Sequence, residues 1–310
     1  MQLFKFATQI QSEQPVASII ISVALMLIAG FLLTRVTKLL RLPNVTAYIV
    51  AGILIGPYCL NLVPQRFIDG TSFLSDIALA FIAFSTGEFF KLDVLKKNGM
   101  KVVWITVFES VLASLLVFVL TFFILHMDLA FSIVLSALAS ATAPASTMMT
   151  IRQTGAKGDF VDTLLQVVAL DDVVGLVLYS VAISIALASL SGSQGFSFQT
   201  IGKPILLNML TLFIGACFGL AMKLLMPQSR STDNKLIISV ALLFAFCGVC
   251  VLLDVSPLLG CMVMGTVYTN IAENDKLFKQ LGYFSPPILL LFFVRSGMNF
   301  KLDALFNASG

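Results

Sequence analysis

The sequence predicts an all-α polytopic membrane protein that contains an inverted repeat, and three observations support this prediction. Of the 310 residues, 58% are hydrophobic and 11% are charged, with a mean hydropathy of +1.00, whereas soluble domains carry about 25% charged residues. The apolar residues form long continuous runs, and a short motif recurs near the end of the chain. This composition excludes a soluble enzyme, a nucleic-acid-binding protein and a secreted disulfide scaffold.

Ten apolar runs are predicted to be membrane-spanning helices, because about 20 apolar residues in helical conformation cross a bilayer. Transmembrane strands would instead alternate apolar and polar side chains. The predicted helices are 16–34, 44–63, 72–90, 102–125, 129–150, 161–190, 200–226, 236–253, 256–272 and 281–300.

The Lys and Arg residues predict the orientation, because cytoplasmic loops carry an excess of both. Alternate loops of the predicted map are rich in these residues, and the other set holds only Lys5, Arg66, Lys203 and Lys301. We therefore expect the N-terminus outside and the basic loops in the cytoplasm. The basic loops are 35–43, 91–101, 151–160, 223–235 and 273–280.

The sequence gives no indication of a cofactor. The single histidine, His126, cannot build a histidine metal site, and the five cysteines lie in or beside apolar runs. Cys247 and Cys250 form a C-x-x-C pair, but inside an apolar helix we interpret them as small packing residues. The sequence G-A-C-F-G at 215–219 favours close helix packing and a dimer face.

A short motif recurs at the ends of two predicted helices that are far apart in the sequence. Residues 84–95 read F-S-T-G-E-F-F-K-L-D-V-L, and residues 294–305 read V-R-S-G-M-N-F-K-L-D-A-L. The helix before each copy opens with a proline (Pro43, Pro257) and carries a glycine further in (Gly52, Gly265). In the predicted topology the two copies leave the membrane on opposite sides, which is typical of inverted repeats in secondary transporters.

The repeat also predicts how much of the second half is present. Three helices, spanning 102–190, follow the first copy, whereas the sequence stops at Gly310 after the second. By symmetry we expect three further helices after residue 310, so that the second repeat is incomplete in this chain.

A discontinuous helix is predicted over 136–150, which reads S-A-L-A-S-A-T-A-P-A-S-T-M-M-T. Pro144 removes a backbone donor and disrupts the preceding turn. Carbonyl groups freed at mid-membrane must find partners or line a wet cavity, where they can coordinate cations. Ser140, Thr142 and Ser146 surround the break as candidate ion-cavity residues. The alternative is a proline kink eased by neighbouring hydroxyl groups.

The next helix carries two adjacent carboxylates, Asp171 and Asp172, near the middle of an apolar span. Each costs roughly 2.5–3.5 kcal/mol to insert, which favours a functional role over a structural polar pair. Adjacent residues point about 100° apart on a helix, so one can face a cavity while the other meets a protein partner. Two such close carboxylates are expected to titrate as a coupled pair.

The paired aspartates after a broken A-T-A-P-A helix resemble the monovalent cation:proton antiporters of the bacterial Nap and Kef type, family 2. So do L-P-N-V-T-A-Y-I-V-A-G-I-L-I-G-P at 42–57 and L-F-F-V-R-S-G-M at 291–298. The resemblance implies that Asp172 holds the cation or proton, and that Thr142 lies near the ion at the helix crossing. Asp171 would pair with a basic residue on a helix after 300.

The resemblance also implies an antiporter fold of thirteen helices, in which a mobile core bundle rocks against a dimerising panel. Residues 102–190 would then be the first core unit, and 16–90 and 200–300 would supply panel, dimerisation and repeat-linking helices. It implies a homodimer in a bacterial inner membrane.

Other intramembrane charges leave alternatives open. Glu109 is a candidate ion-cavity residue, but it could equally pair across helices or lie near a helix end. Arg295 is one candidate for the basic partner of Asp171, but a snorkelling or inter-helix role is the favoured interpretation. Interfacial positions are expected for Asp76, Glu88 and Asp254.

These observations predict a secondary antiporter that exchanges Na⁺ or K⁺ for H⁺ by alternating access, with the Asp pair as the shared site. The alternatives are a Kef-type potassium efflux system whose nucleotide-binding regulator follows the missing helices, and a non-transporting membrane fragment or scaffold. An intramembrane aspartyl protease using Asp172 and Asp254 lacks the G-x-G-D sequence that it requires. The expected partners are the cation, protons, lipid and a second copy of the chain.

Overall fold

The computed structural model describes residues 15–40, 42–142, 144–191, 198–227, 229–272 and 276–300, and in these ranges every regular element is a helix. The all-α prediction is therefore confirmed. A 3-10 turn, Gly87–Phe89, follows α4, and a π-helical turn, Val119–Ile124, extends α5. The helices are α1 (Pro15–Leu39), α2 (Asn44–Ile55), α3 (Gln65–Gly70), α4 (Phe73–Thr86), α5 (Leu92–Phe118), α6 (Leu129–Leu138), α7 (Pro144–Thr154), α8 (Asp159–Ser191), α9 (Phe198–Leu225), α10 (Thr232–Leu252), α11 (Leu258–Ile271), α12 (Lys276–Phe284) and α13 (Pro286–Met298).

Several helices have the length and composition of membrane spans. Within the described ranges, four are long and apolar enough to cross a bilayer by themselves: Val16–Leu39, Gly99–Ile124, Leu206–Leu225 and Thr232–Leu252. The pair α12 and α13 passes the same test together, with a bend of 47° between them. Shorter apolar helices are α2, α6 and α11.

Glycine and proline explain where the long helices are interrupted. Gly99 has a φ of +36° inside α5 and separates its first turns from the span that follows; a left-handed φ of this kind favours glycine. Pro286 opens α13, where its missing N–H costs nothing. The interruption predicted at Pro144 is present, because α6 ends at Leu138 and α7 begins at Pro144.

The chain divides into two compact units, and the first comprises residues 1–78, 149–155 and 282–310. Its hydrophobic core joins α1, α2, α3 and α13 through residues such as Met26, Ile68 and Val294. Arg295 on α13 lies in this unit. Its Nε and Nη2 donate to the Ile68 carbonyl oxygen at 3.1 and 3.0 Å, and its Nη1 donates to Ser75 Oγ at 3.1 Å. These contacts confirm the inter-helix interpretation of Arg295.

A glycine pair brings two helix backbones together in the first unit. The Cα of Gly297 on α13 lies 2.9 Å from the position that a Cβ on Gly52 would occupy. That Cβ would also overlap the Val294 carbonyl oxygen, and a Cβ on Gly297 would overlap the Ile49 carbonyl oxygen. Helices α2 and α13 can cross this closely only because both residues lack a side chain.

The second unit comprises residues 79–148 and 156–281, and it contains a second close approach. Helices α5, α6 and α8 pack together in it, as do α9 and α11. A Cβ on Gly87 would lie 2.5 Å from the Met262 carbonyl oxygen, and one on Gly265 would overlap the Phe84 carbonyl oxygen. Each of these two crossings joins an element of the first repeat to a helix of the second, the Gly52–Gly297 crossing in the first unit and the Gly87–Gly265 crossing in the second.

Asn270 on α11 holds the connection between the 3-10 turn and α5 in the second unit. Its Oδ1 accepts from the Leu92 N–H at 2.8 Å, and its Nδ2 donates to the Phe90 carbonyl oxygen at 2.8 Å. Nδ2 also donates to the Thr266 carbonyl oxygen at 2.7 Å. One side chain thus binds free backbone groups on both sides of Lys91.

The small-residue sequence at 215–219 lies at a contact between two helices of the same chain. A Cβ on Gly219 would lie 2.8 Å from the Met264 carbonyl oxygen, and one on Gly215 would overlap the Gly260 carbonyl oxygen. The close packing predicted for this sequence is therefore present between α9 and α11.

Candidate cation and proton site

Asp171 lies where α8 passes the interrupted span. Its side chain has 0% exposure, and its Oδ2 accepts a hydrogen bond of 2.7 Å from the backbone N–H of Thr142. Thr142 belongs to the irregular segment between α6 and α7. Its N–H is available because this segment is not helical, and the nearby N-terminal end of α7 favours negative charge.

A second donor reaches the same carboxylate from α5. The hydroxyl of Ser110, also 0% exposed, donates to Asp171 Oδ1. Both oxygens of Asp171 are therefore bound by donors from other parts of the chain. This arrangement satisfies a buried carboxylate, because each of its two oxygens accepts a hydrogen bond.

Glu109 approaches the same place from the more exposed side of α5. Its Oε1 accepts from the Thr142 hydroxyl at 3.5 Å. Thr142 therefore contacts one carboxylate through its backbone and another through its side chain. This contact joins α5 to the irregular segment, as expected if Glu109 pairs across helices, and its role as an ion-cavity residue stays a prediction.

The other predicted residues are distributed as follows. Ser140 is buried, and its hydroxyl donates to the Ala137 carbonyl oxygen of its own helix at 2.7 Å. Ser146 is exposed on α7, and Pro144 is the first residue of that helix. Asp172 follows Asp171 in α8, and its side chain lies outside the described residues.

Ser110 was missed by the sequence analysis. A lone serine in an apolar helix ordinarily bonds to a carbonyl group one turn back. The only signal was its position directly after Glu109, which places two polar side chains together in an apolar run.

The family model described as sodium/hydrogen exchanger, transmembrane (Na_H_Exchanger) matches residues 16–310. The chain belongs to the sodium/hydrogen exchanger family. No match was found among individually curated protein sequences.

The fold of this exchanger is similar to solved antiporter structures. An electron-microscopy structure of the sodium proton antiporter MjNhaP1 from Methanocaldococcus jannaschii matches with a TM-score of 0.73 and 17% identity, over 94% of this chain and 73% of that chain. A structure of the same antiporter at pH 8 matches with a TM-score of 0.67 and 19% identity, over 93% of this chain and 74% of that chain. The predicted antiporter fold is thereby confirmed.

Membership of this family decides between the classes of function considered for the sequence. Its members are transmembrane transporters of Na⁺ and H⁺, so the exchanger is a multi-pass transporter and not an intramembrane protease. Cation/proton antiport is the activity that membership of the family supports.

Proposed function

We propose that this exchanger carries Na⁺ or K⁺ against H⁺ by alternating access, and that Asp171 and Asp172 form the shared cation and proton site. The observation that carries the proposal is the binding of the Asp171 carboxylate to the Thr142 N–H in the interrupted span. An interrupted helix beside a buried carboxylate supplies oxygen ligands and a titratable group, both of which cation exchange requires.

The two aspartates have different roles in this proposal. Asp171 accepts hydrogen bonds from Ser110 and Thr142, and its carboxylate forms one side of the cation site without changing its ligands. Asp172 exchanges its ligands: it loses a proton, takes the cation together with oxygen atoms of the 139–142 segment, and is protonated again on the other side. Competition between proton and cation for one carboxylate couples the two fluxes without phosphorylation.

Transport in proteoliposomes tests the proposal. Vesicles with an acidic interior and a pH-sensitive dye report the collapse of the proton gradient when NaCl or KCl is added, and the two salts are compared. We expect Asp172→Asn to abolish the response, because an amide cannot exchange a proton for a cation. Asp159→Asn is the matched control, since it makes the same change at the exposed first turn of the same helix. A wild-type rate in Asp172→Asn would refute the proposed site.

The finer assignment rests on the sequence motifs. We propose that the exchanger is of the Nap and Kef type, that it is a homodimer in a bacterial inner membrane, and that its N-terminus lies outside. The distribution of Lys and Arg between alternate loops supports the orientation.

A further inference from the structure

We propose that Ser110 is a positioning residue of the cation site, which fixes the orientation of the Asp171 carboxylate. This inference rests on the proposed function and adds to it a residue on a third helix, α5. The observation behind it is that a fully buried hydroxyl donates to a fully buried carboxylate on another helix.

Ser110 differs from Thr106 and Thr121, two other hydroxyl-bearing residues of its span, in the partner it binds. Thr106, one turn earlier, donates to the Val102 carbonyl oxygen of its own helix at 2.9 Å. Thr121, further along, donates to the Val117 carbonyl oxygen at 2.8 Å. Hydroxyl groups in apolar helices are usually satisfied in this local way. Ser110 instead directs its hydroxyl at Asp171, which indicates a role outside its own helix.

The pair of donors fixes the carboxylate plane. One donor alone would leave the Asp171 carboxylate free to turn about its terminal torsion, which has a broad energy profile. The Thr142 N–H holds Oδ2 and the Ser110 hydroxyl holds Oδ1, so the rotation is restricted. A carboxylate has about four lone-pair sites, and two of them remain available to further ligands in a defined direction.

The competing interpretation is that Ser110 serves only as a small residue for packing. Alanine is of nearly the same size, so a packing role predicts little effect of Ser110→Ala. A positioning role predicts a loss that depends on Asp171 and is restored by a residue with a hydroxyl group. The two interpretations are therefore separated by the choice of variant.

The test is the rise in melting temperature of the purified full chain in detergent as NaCl or KCl replaces choline chloride at constant ionic strength. A ligand that binds only the folded state raises the free energy of unfolding by RT ln(1 + [L]/Kd), so the titration yields an apparent affinity for the cation. We expect Ser110→Ala to weaken this affinity about tenfold, the effect of losing one hydrogen bond to a charged group. Ser110→Thr is expected to restore most of it.

Two controls isolate the role of the hydroxyl group. Ser136→Ala removes a buried hydroxyl that donates to the Ile133 carbonyl oxygen of its own helix at 2.8 Å, and we expect no change in cation affinity. In an Asp171→Asn background, Ser110→Ala is expected to cause no further loss, because its effect passes through that carboxylate. If Ser110→Ala does not fold, Ser110→Cys replaces it, since a thiol of similar size is only a weak donor.

The outcomes distinguish this inference from the proposed function. A wild-type chain with neither a Na⁺-dependent nor a K⁺-dependent rise would overturn both. A wild-type chain that responds, together with Ser110→Ala of unchanged affinity, would overturn the positioning role alone. If Ser110→Ala and Ser136→Ala lose the same amount of cation affinity, the positioning role is also overturned, since the loss would then be a general effect of packing.

Discussion

Asp171 and Arg295 carry opposite charges inside apolar helices, and both bind backbone groups that a helix break has left free. Asp171 accepts from the Thr142 N–H just before α7 begins, and Arg295 donates to the Ile68 carbonyl oxygen near the end of α3. The signs match the helix ends, because helix N-termini favour anions and C-termini favour cations. The interrupted spans therefore provide the partners that these charges need in lipid.

Arg295→Lys is expected to destabilise the first unit although it keeps the charge. The guanidinium group makes three hydrogen bonds to Ile68 and Ser75 in a forked geometry that an ammonium group cannot reproduce. Losing one or more of them should lower the stability by about 1–3 kcal/mol. Thermal unfolding in detergent measures this, with Arg230→Lys at an exposed position as the control. Equal melting temperatures of the two variants would contradict the role of the fork.

Among single residues, the charged ones with a role inside the membrane were easier to recognise from the sequence than the neutral ones. Asp171, Glu109 and Arg295 are conspicuous because a charge in an apolar run is energetically costly and needs a reason. Ser110 and Asn270 are uncharged, so the sequence distinguishes them from packing residues only weakly, Ser110 by its position directly after Glu109. Their roles depend on which distant segment each one faces, and the local pattern does not contain that information.

Among the elements, the connection from α4 to α5 depends most on a single side chain. Asn270 binds Phe90 and Leu92, and it therefore stabilises the end of the 3-10 turn and the beginning of α5 together. Both backbone groups lack a helical partner at this point. An amide serves here because it donates and accepts at once.

Asn270→Ala is expected to loosen this connection. It removes the acceptor of the Leu92 N–H and the donor to the Phe90 carbonyl oxygen, at a cost on the order of 2 kcal/mol. Hydrogen exchange followed by mass spectrometry should show faster exchange in peptides covering residues 87–93. Thr269→Val is the matched control on the same helix, because the buried Thr269 hydroxyl has no partner among the described residues. If the backbone amides of residues 87–93 exchange as slowly in Asn270→Ala as in the wild type, the proposed role of Asn270 in this connection is refuted.

At the scale of the whole molecule, the fold class and the repeat were predictable, but the contacts between repeats were not. Continuous apolar runs predict helices, and the two K-L-D motifs reveal the duplication. Four glycines recur between the two copies of the repeat: Gly52, Gly87, Gly265 and Gly297. The sequence motif does not show which of these glycines are in contact with each other. The pairing of each with a glycine of the opposite repeat is a property of the packed structure.

Gly52→Ala and Gly265→Ala are expected to destabilise the protein to a similar extent, because each places a Cβ against a backbone carbonyl group of the other repeat. Overpacking of this kind typically costs about 1–3 kcal/mol, and backbone atoms have little freedom to move aside. Gly248→Ala on α10 is the control, since no described atom lies within 4 Å of its added Cβ. Melting temperature and the monodisperse fraction on size-exclusion chromatography measure the effect. A well-folded Gly52→Ala protein would contradict the close crossing.

The reciprocal glycine crossings bear on the ancestry of the chain. A helix of one repeat meets a helix of the other at Gly52 and Gly297, and the corresponding helices meet again at Gly265 and Gly87. In an ancestor encoding a single repeat, these two contacts would be one contact made twice, by two copies inserted in opposite orientations. Gene duplication and fusion would then have converted an antiparallel homodimer interface into the interior of one polypeptide. Each crossing could afterwards diverge separately, as Asn270 has done beside only one of them.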